Sequence, residues 1–338
     1  MASLALQQVC LVISIAAFVV FLIASTHDDT SFATSYSKDH TMQQGMAITP
    51  GNHREAVLAS ASDGGKNVIL ASLNKAWAEE GALLDLFLGG FRSGNKTAEL
   101  LENLVLVSLD EVAHQRCLAI HKHCLLLETG GVDFSSREAL FMSQDFVWMM
   151  KRRVEFLGEV LELGYNFIFT DLDVLWLRNP WNHLNRGAAD IAVSCDVFHR
   201  GNASRSKANT GFIHARSNAR TIKLYKFWAS RMEQQPGKNE QQVFNAFRSS
   251  PEFGALEIRV DFLPTSLFSN FGDVGARDMG KIVTMHANCC KGMTAKLADL
   301  KLTMEDWQDF MASPIQEKRF RFRAPDSCKR SWEKKIPM

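Results

Sequence analysis

The chain has 338 residues, 46% of them hydrophobic, which is enough apolar material for one large domain or two modest ones. Its 38 basic residues balance 37 acidic ones at a net charge of +1, which argues against a dedicated nucleic-acid binder. Seven cysteines occur without a CxxC pair, so a zinc ribbon is not expected.

Leu4 to Ala24 is an apolar run without a charge, close to the ~20 residues that cross a bilayer. It exceeds the ~7–15-residue apolar region of a cleaved signal peptide, and no basic residue precedes it. An uncleaved membrane anchor is therefore the expectation, with a cleaved leader as the alternative. Either one sends the remainder into the secretory lumen, where disulfides are permitted but their pairing cannot be read. The sequons Asn95-Lys96-Thr97 and Asn202-Ala203-Ser204 are compatible with that side of the membrane. Residues 25–66 are polar and lack a sustained apolar period, so they read as a stem, with a short helix around "REAVLAS".

A folded domain is expected over residues 67–312, opening on the strand "NVILASLN". A helix through "WAEEGALLDLFLGGF", a strand at "NLVLVSLD", a helix at "DEVAHQRCLAIHKH" and a strand at "HCLLLET" follow. "SREALFMSQDFVWMMKRRVEFLGEVLELGY" reads as one long or broken helix stopped by Gly164. Next come the apolar stretch "NFIFTDLDVLWLRNPW", read as a strand that carries two acids toward its C-terminal end, and strands at "ADIAVSCD" and "TGFIHAR". Helices at "ARTIKLYKFWASRM" and "NEQQVFNAFRSS", strands at "ALEIRVDFLP" and "GKIVTMHANCC", and a closing helix "TAKLADLKLTMEDWQDFMA" complete the domain. Strands alternating with helices predict an α/β fold, a Rossmann-type, mainly parallel sheet flanked by helices. A basic tail occupies residues 313–338.

Asp171 and Asp173 interrupt the apolar stretch "NFIFTDLDVLWLRNPW". Residues two apart in a strand share a face, so the two acids are expected to project together at the strand's C-terminal end, where open α/β sheets bind ligands. Two close like charges need a shared proton or a cation, and Mg²⁺ or Mn²⁺ with a phosphate-bearing substrate is the usual solution. On this view, deleting one charge relieves repulsion in the metal-free site. The plainer alternative has both acids solvated, paired with Arg178. Two enzyme classes place D-x-D after a strand. The haloacid-dehalogenase type of phosphatase needs Thr or Val at the fifth position, where Leu175 stands, although "GDVGARD" at Gly272–Asp278 imitates its late acidic motif. The other class is the metal-dependent nucleotide-sugar glycosyltransferase.

Downstream, "HANCCKGMTAK" combines His286, a candidate third metal ligand, with Gly292 for close backbone approach and Lys296 for phosphate charge. "ANTGFIHARS" adds Asn209, Thr210 and Gly211, and "NEQQVFNAF" opens a helix with Glu240 and Gln241. Each piece alone is as readily an ordinary turn, cap or core residue.

In this order, D-x-D, NTGF, (D/E)Q-x-x-FN and HxNCCxGxxxK resemble the plant nucleotide-diphospho-sugar transferase domain, a relative of glycosyltransferase family 77. The resemblance spans roughly Asn67 to Trp307 and includes "VSCD" and "FLPTSLFSNF". It implies a GT-A type fold, a UDP-sugar donor, Mn²⁺ or Mg²⁺, retention of anomeric configuration, and a single-pass type II Golgi membrane protein with a lumenal catalytic domain. The partners implied are a glycan, cell-wall polysaccharide or hydroxylated glycoprotein acceptor and homo- or hetero-oligomers, with a non-catalytic member that binds nucleotide-sugar or cell-wall glycan as a further alternative.

Carried over position by position, Asp171, Asp173 and His286 match the metal ligands. Lys296, and after it Lys291, matches the lysine on the diphosphate, and Lys151 the basic residue before the D-x-D strand. Ser72 and Asn74 match the nucleotide position. Asp196, Asn209, Thr210, Gly211, Glu240 and Gln241 match donor-sugar or acceptor positions. Where relatives carry Asp-Gln, this chain has Glu240, one methylene longer. No residue stands out as a covalent nucleophile, so front-face attack is expected. The tail "EKRFRFRAPDSCKRSWEKKIPM" is expected to be a solvated terminus, with attraction to an acidic polysaccharide as its functional alternative.

Overall fold

Every side chain from Val68 to Leu73 is buried, because this first strand, β1 (Asn67–Leu73), runs through the middle of a sheet covered on both faces. Val68 and Leu70 enter one core, while Ile69, Ala71 and Leu73 enter the other. The same alternation continues in β2 (Leu104–Ser108), β3 (Cys124–Leu126) and β4 (Asn166–Thr170). The remaining strands are β5 (Val174–Trp176), β6 (Ile191–Val197), β7 (Lys207–Ala215), β8 (Val260–Phe262), β9 (Phe268–Asn270) and β10 (Thr284–His286).

This computed structural model describes residues 50–129, 144–184, 189–273, 278–314 and 321–333. Leu4–Ala24 and most of the expected stem lie outside them. Among the described residues no helix is long and apolar enough to cross a membrane.

The large sheet has the order β3-β2-β1-β4-β7-β6-β8. β3, β2, β1 and β4 pair in parallel, β7 lies antiparallel between β4 and β6, and β8 is parallel to β6. The fold is thus α/β with a mostly parallel central sheet. A smaller sheet of order β5-β10-β9 sits beside it. β5 and β9 are new relative to the sequence reading, and the two expected late strands shrink to the three-residue β8 and β10.

The helices begin with α1 (Pro50–Ala61), whose Leu58 and Ala61 are buried, so packed structure starts ahead of Asn67. The expected helix after β1 is two, α2 (Lys75–Ala78) and α3 (Leu83–Ser93), because Gly81 between them takes φ +75°. Next are α4 (Glu111–Ile120), capped by Asp110, and α5 (Gln144–Glu162), followed by Gly164 at φ +84°. The upstream part of that expected helix lies outside the described residues. The series closes with α6 (Trp181–Leu184), α7 (Ala219–Glu233), α8 (Glu240–Phe247), α9 (Pro251–Gly254), α10 (Met293–Ala312) and α11 (Asp326–Ser331). Buried side chains of α3, α4 and α10 fill one face of the sheet, and those of α1, α5, α7 and α8 fill the other.

The described part of the basic tail is not a solvated terminus. Phe322 and Cys328 are buried, and Cys328 forms a disulfide with Cys290. Burying these apolar groups on α10 outweighs the solvation of the flanking charges. A second disulfide joins Cys117 to Cys124, while Cys195 and Cys289 are free thiols.

Candidate active site

The strand alternation expected of the two acids is not what brings them together. β4 ends at Thr170, and Asp171, Leu172 and Asp173 form the turn by which the chain leaves the large sheet and enters the small one. Leu172 and Val174 are buried, so the acids are the side chains of this turn left facing the site. The turn is stitched to both sheets. The Asp171 N–H donates to the Gly211 carbonyl on β7 at 2.8 Å, and the Ala287 N–H donates to the Asp173 carbonyl at 3.0 Å. β10 pairs His286 with Val174, which carries the imidazole over the turn.

Asp171, Asp173 and His286 offer ligand atoms that all lie within 4.8 Å of one another. His286 Nε2 is 3.1 Å from Asp173 Oδ1 and 3.9 Å from Asp171 Oδ2. Two carboxylates and an imidazole suit a divalent cation such as Mg²⁺, Mn²⁺ or Zn²⁺. Lys296, in the second turn of α10, donates from Nζ to Asp173 Oδ2 at 2.7 Å. Burial opposes the Asp173 charge, yet Lys296 and His286 outweigh it and hold the carboxyl far below the usual range. Burial likewise opposes protonation of His286, and Asp173 more than offsets it, so the imidazole binds its proton more tightly than usual. The expected relief of repulsion on deleting one acid therefore does not apply, since Asp173 is already neutralised and its loss would strand Lys296.

Asp171 has its own cation. Arg153 Nη1 donates to Asp171 Oδ1 at 2.9 Å, and Nη2 donates to Glu240 Oε1. The buried guanidinium lies over the Phe169 ring, 4.5 Å from its centroid. Glu240 opens α8, whose N-terminus is fixed by a capping box between Asn239 and Gln242. Its Oε1 also accepts from the Thr210 hydroxyl at 2.9 Å, while Oε2 is buried without a partner among the described residues.

A second polar hub surrounds Asp196 at the end of β6. Its Oδ1 accepts from Asn209 and Asn288, both at 2.7 Å, and its Oδ2 from Gln241 at 2.8 Å. Gln241 in turn accepts from the Thr210 N–H at 3.2 Å. Gly211 lies between the two networks. A Cβ there would stand 2.5 Å from His286 Cε1 and 2.6 Å from Asp171 Oδ2, so only glycine leaves the cluster room to close.

Asp171, Asp173, His286, Lys296, Asp196, Asn209, Thr210, Gly211, Glu240 and Gln241 thus form one connected site. Ser72, buried at the end of β1, lines a small cavity with Arg153 and Phe169. Asn74 caps α2, accepting from the Trp77 N–H. Gly292, at φ +79°, starts α10 one turn ahead of Lys296. Lys151 stands apart. It pairs with Glu155 and Glu233 and lies over the Trp148 ring, because two residues along a helix turn a side chain to the far side. Arg153 occupies the place expected of Lys151. Lys291 also stands apart from the acids, over the Trp332 ring. Of "GDVGARD", residues 274–277 lie outside the described residues.

Residues 99–300 match the nucleotide-diphospho-sugar transferase family. The chain belongs to this family. It is a glycosyltransferase, which closes the phosphatase alternative. An Arabidopsis thaliana protein of uncharacterised function is 40% identical over 84% of this chain and 85% of its own length. The transferase is also 29% identical to the UDP-D-xylose:L-fucose alpha-1,3-D-xylosyltransferase 3 of the same plant, over 50% of this chain and 48% of that one. A solved galactosyltransferase, crystallised with donor and acceptor sugar analogs, covers 74% of this chain and 98% of its own at 12% identity and a TM-score of 0.43.

Gly211→Ala tests the packing of this transferase's site. The added methyl must push His286 away from Asp171, so divalent-cation affinity measured by calorimetry should fall about tenfold or more. Stability should fall as well, by about 1–3 kcal/mol in denaturant unfolding, because the methyl overpacks a buried cluster.

Proposed function

We propose that this transferase moves a sugar from a UDP-sugar to a glycan or glycoprotein acceptor, with Mn²⁺ or Mg²⁺ held by Asp171, Asp173 and His286. The observation that carries the reading is the convergence of these three ligands with Lys296 at the carboxyl end of β4. A cation bound there supplies a Lewis acid for charge growing on the leaving diphosphate. The chain's own residues do the rest. Lys296, one bond from Asp173, adds a positive charge beside the diphosphate. His286 must release its tightly held proton to serve as a ligand. Arg153 holds Asp171 and Glu240 in fixed positions, and the amides of Asn209, Gln241 and Asn288 hold Asp196. Both Asp196 oxygens are taken by donors, whereas Glu240 is fixed by Arg153 and Thr210 through Oε1 and keeps a buried Oε2 without a partner among the described residues. Retention by front-face attack, with a leaving phosphate oxygen taking the acceptor proton, is the mechanism we propose, and Glu240 is the residue on which its alternative would rest. A glycosyl adduct trapped on Glu240 or Asp196 and seen by mass spectrometry would overturn it.

The reading extends to a type II Golgi membrane protein with a lumenal catalytic domain. Its supports are the apolar run Leu4–Ala24, two disulfides, and the exposure of both sequon asparagines, Asn95 and Asn202. The full chain should stay with membranes after carbonate washing and carry glycan on at least one of these asparagines. A carbonate-soluble, unglycosylated chain would contradict this.

The central test is UDP release from a panel of UDP-sugars with Mn²⁺ present. Wild type should turn over at least one donor, and Asp173→Asn should lose transfer by orders of magnitude together with Mn²⁺-dependent UDP binding. The same substitution should cost about 1–3 kcal/mol of stability, because Lys296 and His286 lose their shared partner. Full transfer by a folded Asp173→Asn protein would exclude a cation at this turn.

A further inference from the structure

Asn288 lies two residues beyond His286, in the loop that follows β10. This loop is tied to the D-x-D turn at Ala287, whose N–H donates to the Asp173 carbonyl at 3.0 Å. One residue later it is tied to the second polar hub, where Asn288 Nδ2 donates to Asp196 Oδ1 at 2.7 Å. The orientation of the Asn288 amide is fixed from its other end. Its Oδ1 accepts from the N–H groups of Cys289 at 2.8 Å and Gly272 at 3.3 Å, which leaves the NH₂ end for the carboxylate. Asn270, the neighbour of His286 in the pairing of β9 with β10, acts in parallel. It donates to the Cys195 carbonyl at 2.9 Å and accepts from the Gly272 and Asp273 N–H groups at 2.8 and 2.9 Å. The small sheet thus grips the end of β6 twice, by its main chain at Cys195 and by its side chain at Asp196.

Asp196 differs from the acids of the D-x-D turn. Asp171 is met by Arg153 and Asp173 by Lys296, whereas the three donors to Asp196 are neutral amides. A carboxylate offers about four acceptor positions. Asn209 and Asn288 fill the two on Oδ1, and Gln241 fills one on Oδ2, so Oδ2 keeps a position on a side chain that is half-buried. An oxygen of this kind suits a ligand hydroxyl, the group in which a sugar is richest. Asn209 stands on β7 and Gln241 on α8, which belong to the layers of the large sheet. Of the three donors, Asn288 alone comes from the loop of His286. Through it the place of Asp196 is set relative to the cation ligands.

We propose that Asn288 is a positioning residue for the sugar half of the donor. It orients Asp196 from the loop that carries His286, and so aligns the sugar with the diphosphate. Its effect falls on the sugar and not on the nucleotide. The proposal rests on the UDP-sugar reading for the word donor.

The test is calorimetry on the full-length protein with Mn²⁺ present. It compares UDP with whichever of UDP-xylose, UDP-galactose, UDP-glucose and UDP-arabinopyranose wild type binds most tightly. Asn288→Asp keeps the oxygen that accepts from Cys289 and Gly272, but sets a second carboxylate against Asp196. Asn288→Ala removes both ends of the amide. The affinity for the UDP-sugar relative to UDP should fall about tenfold or more in Asn288→Asp, at least as far as in Asn288→Ala. In an Asp196→Ala background, Asn288→Asp should change that ratio less than about twofold, because its effect passes through Asp196. Should Asn288→Asp not fold, Asn288→Ala carries the same test, a fall in the ratio with UDP affinity retained. A residue that merely supports the loop gives the opposite pattern, in which Asn288→Ala weakens UDP and UDP-sugar alike while Asn288→Asp weakens neither. That pattern would overturn the proposal, as would an unchanged ratio in a folded Asn288→Asp protein or the same loss of ratio without Asp196. Wild type that binds none of the four UDP-sugars would instead remove the donor reading, and the positioning role with it.

Discussion

Two adjacent carboxylates placed against an apolar core must be neutralised, and most of the site follows from how this chain does it. Asp171 is held by Arg153 from α5, and Asp173 by Lys296 from α10 and His286 from β10. α5 and α10 cover opposite faces of the large sheet. The charges on one turn therefore join both layers, at the edge where the two sheets meet. Separating a buried pair costs about 3–5 kcal/mol, since the remaining charge is left in a poor solvent. This is reason enough for the site to be a fixed arrangement rather than a set of mobile side chains.

Much of this was readable from sequence. The two acids, His286, Lys296, the NTG segment and Glu240-Gln241 stand out in the sequence, and the structure brings them into one network. They were legible because each sits at a boundary, where a polar residue interrupts an apolar strand or opens a helix. Arg153 was missed in favour of Lys151, although the signal was present. The buried positions of α5 are Met149, Met150, Arg153, Val154, Phe156, Leu157, Val160 and Leu161, so Arg153 stands in phase with the apolar stripe. A basic residue in that phase has to point inward, whereas Lys151 falls on the opposite side.

Other misses have different causes. β5 and β9 are three residues each, too short for a period to register, and they exist because β10 lies between them. The order of the acids suggested a strand, but a turn holds them, since alternation cannot reveal where pairing stops. Asn288 stands in the HxNCC motif without a role assigned to it, because its partner, Asp196, is 92 residues away in sequence. The tail looked solvated because its charges dominate its composition. The burial of Phe322 and the pairing of Cys328 with Cys290 show that its described part packs.

The step from β4 to β5 has a mechanical side. Asp171 is bonded through its backbone to the large sheet and Asp173 to the small one. The two acids therefore stand on either side of a seam, like the tips of a pair of tweezers whose arms are the sheets. Any sliding of one sheet over the other would alter the gap between the tips, and it would strain the core that the small sheet shares with one face of the large one. Each of these two backbone bonds contributes only about 0.5–1.5 kcal/mol net and ties an acid to its own side, so the grip across the seam comes mainly from His286, which faces both acids. An ion seated between the tips would add to that bracing by tying the two sheets together through a third contact.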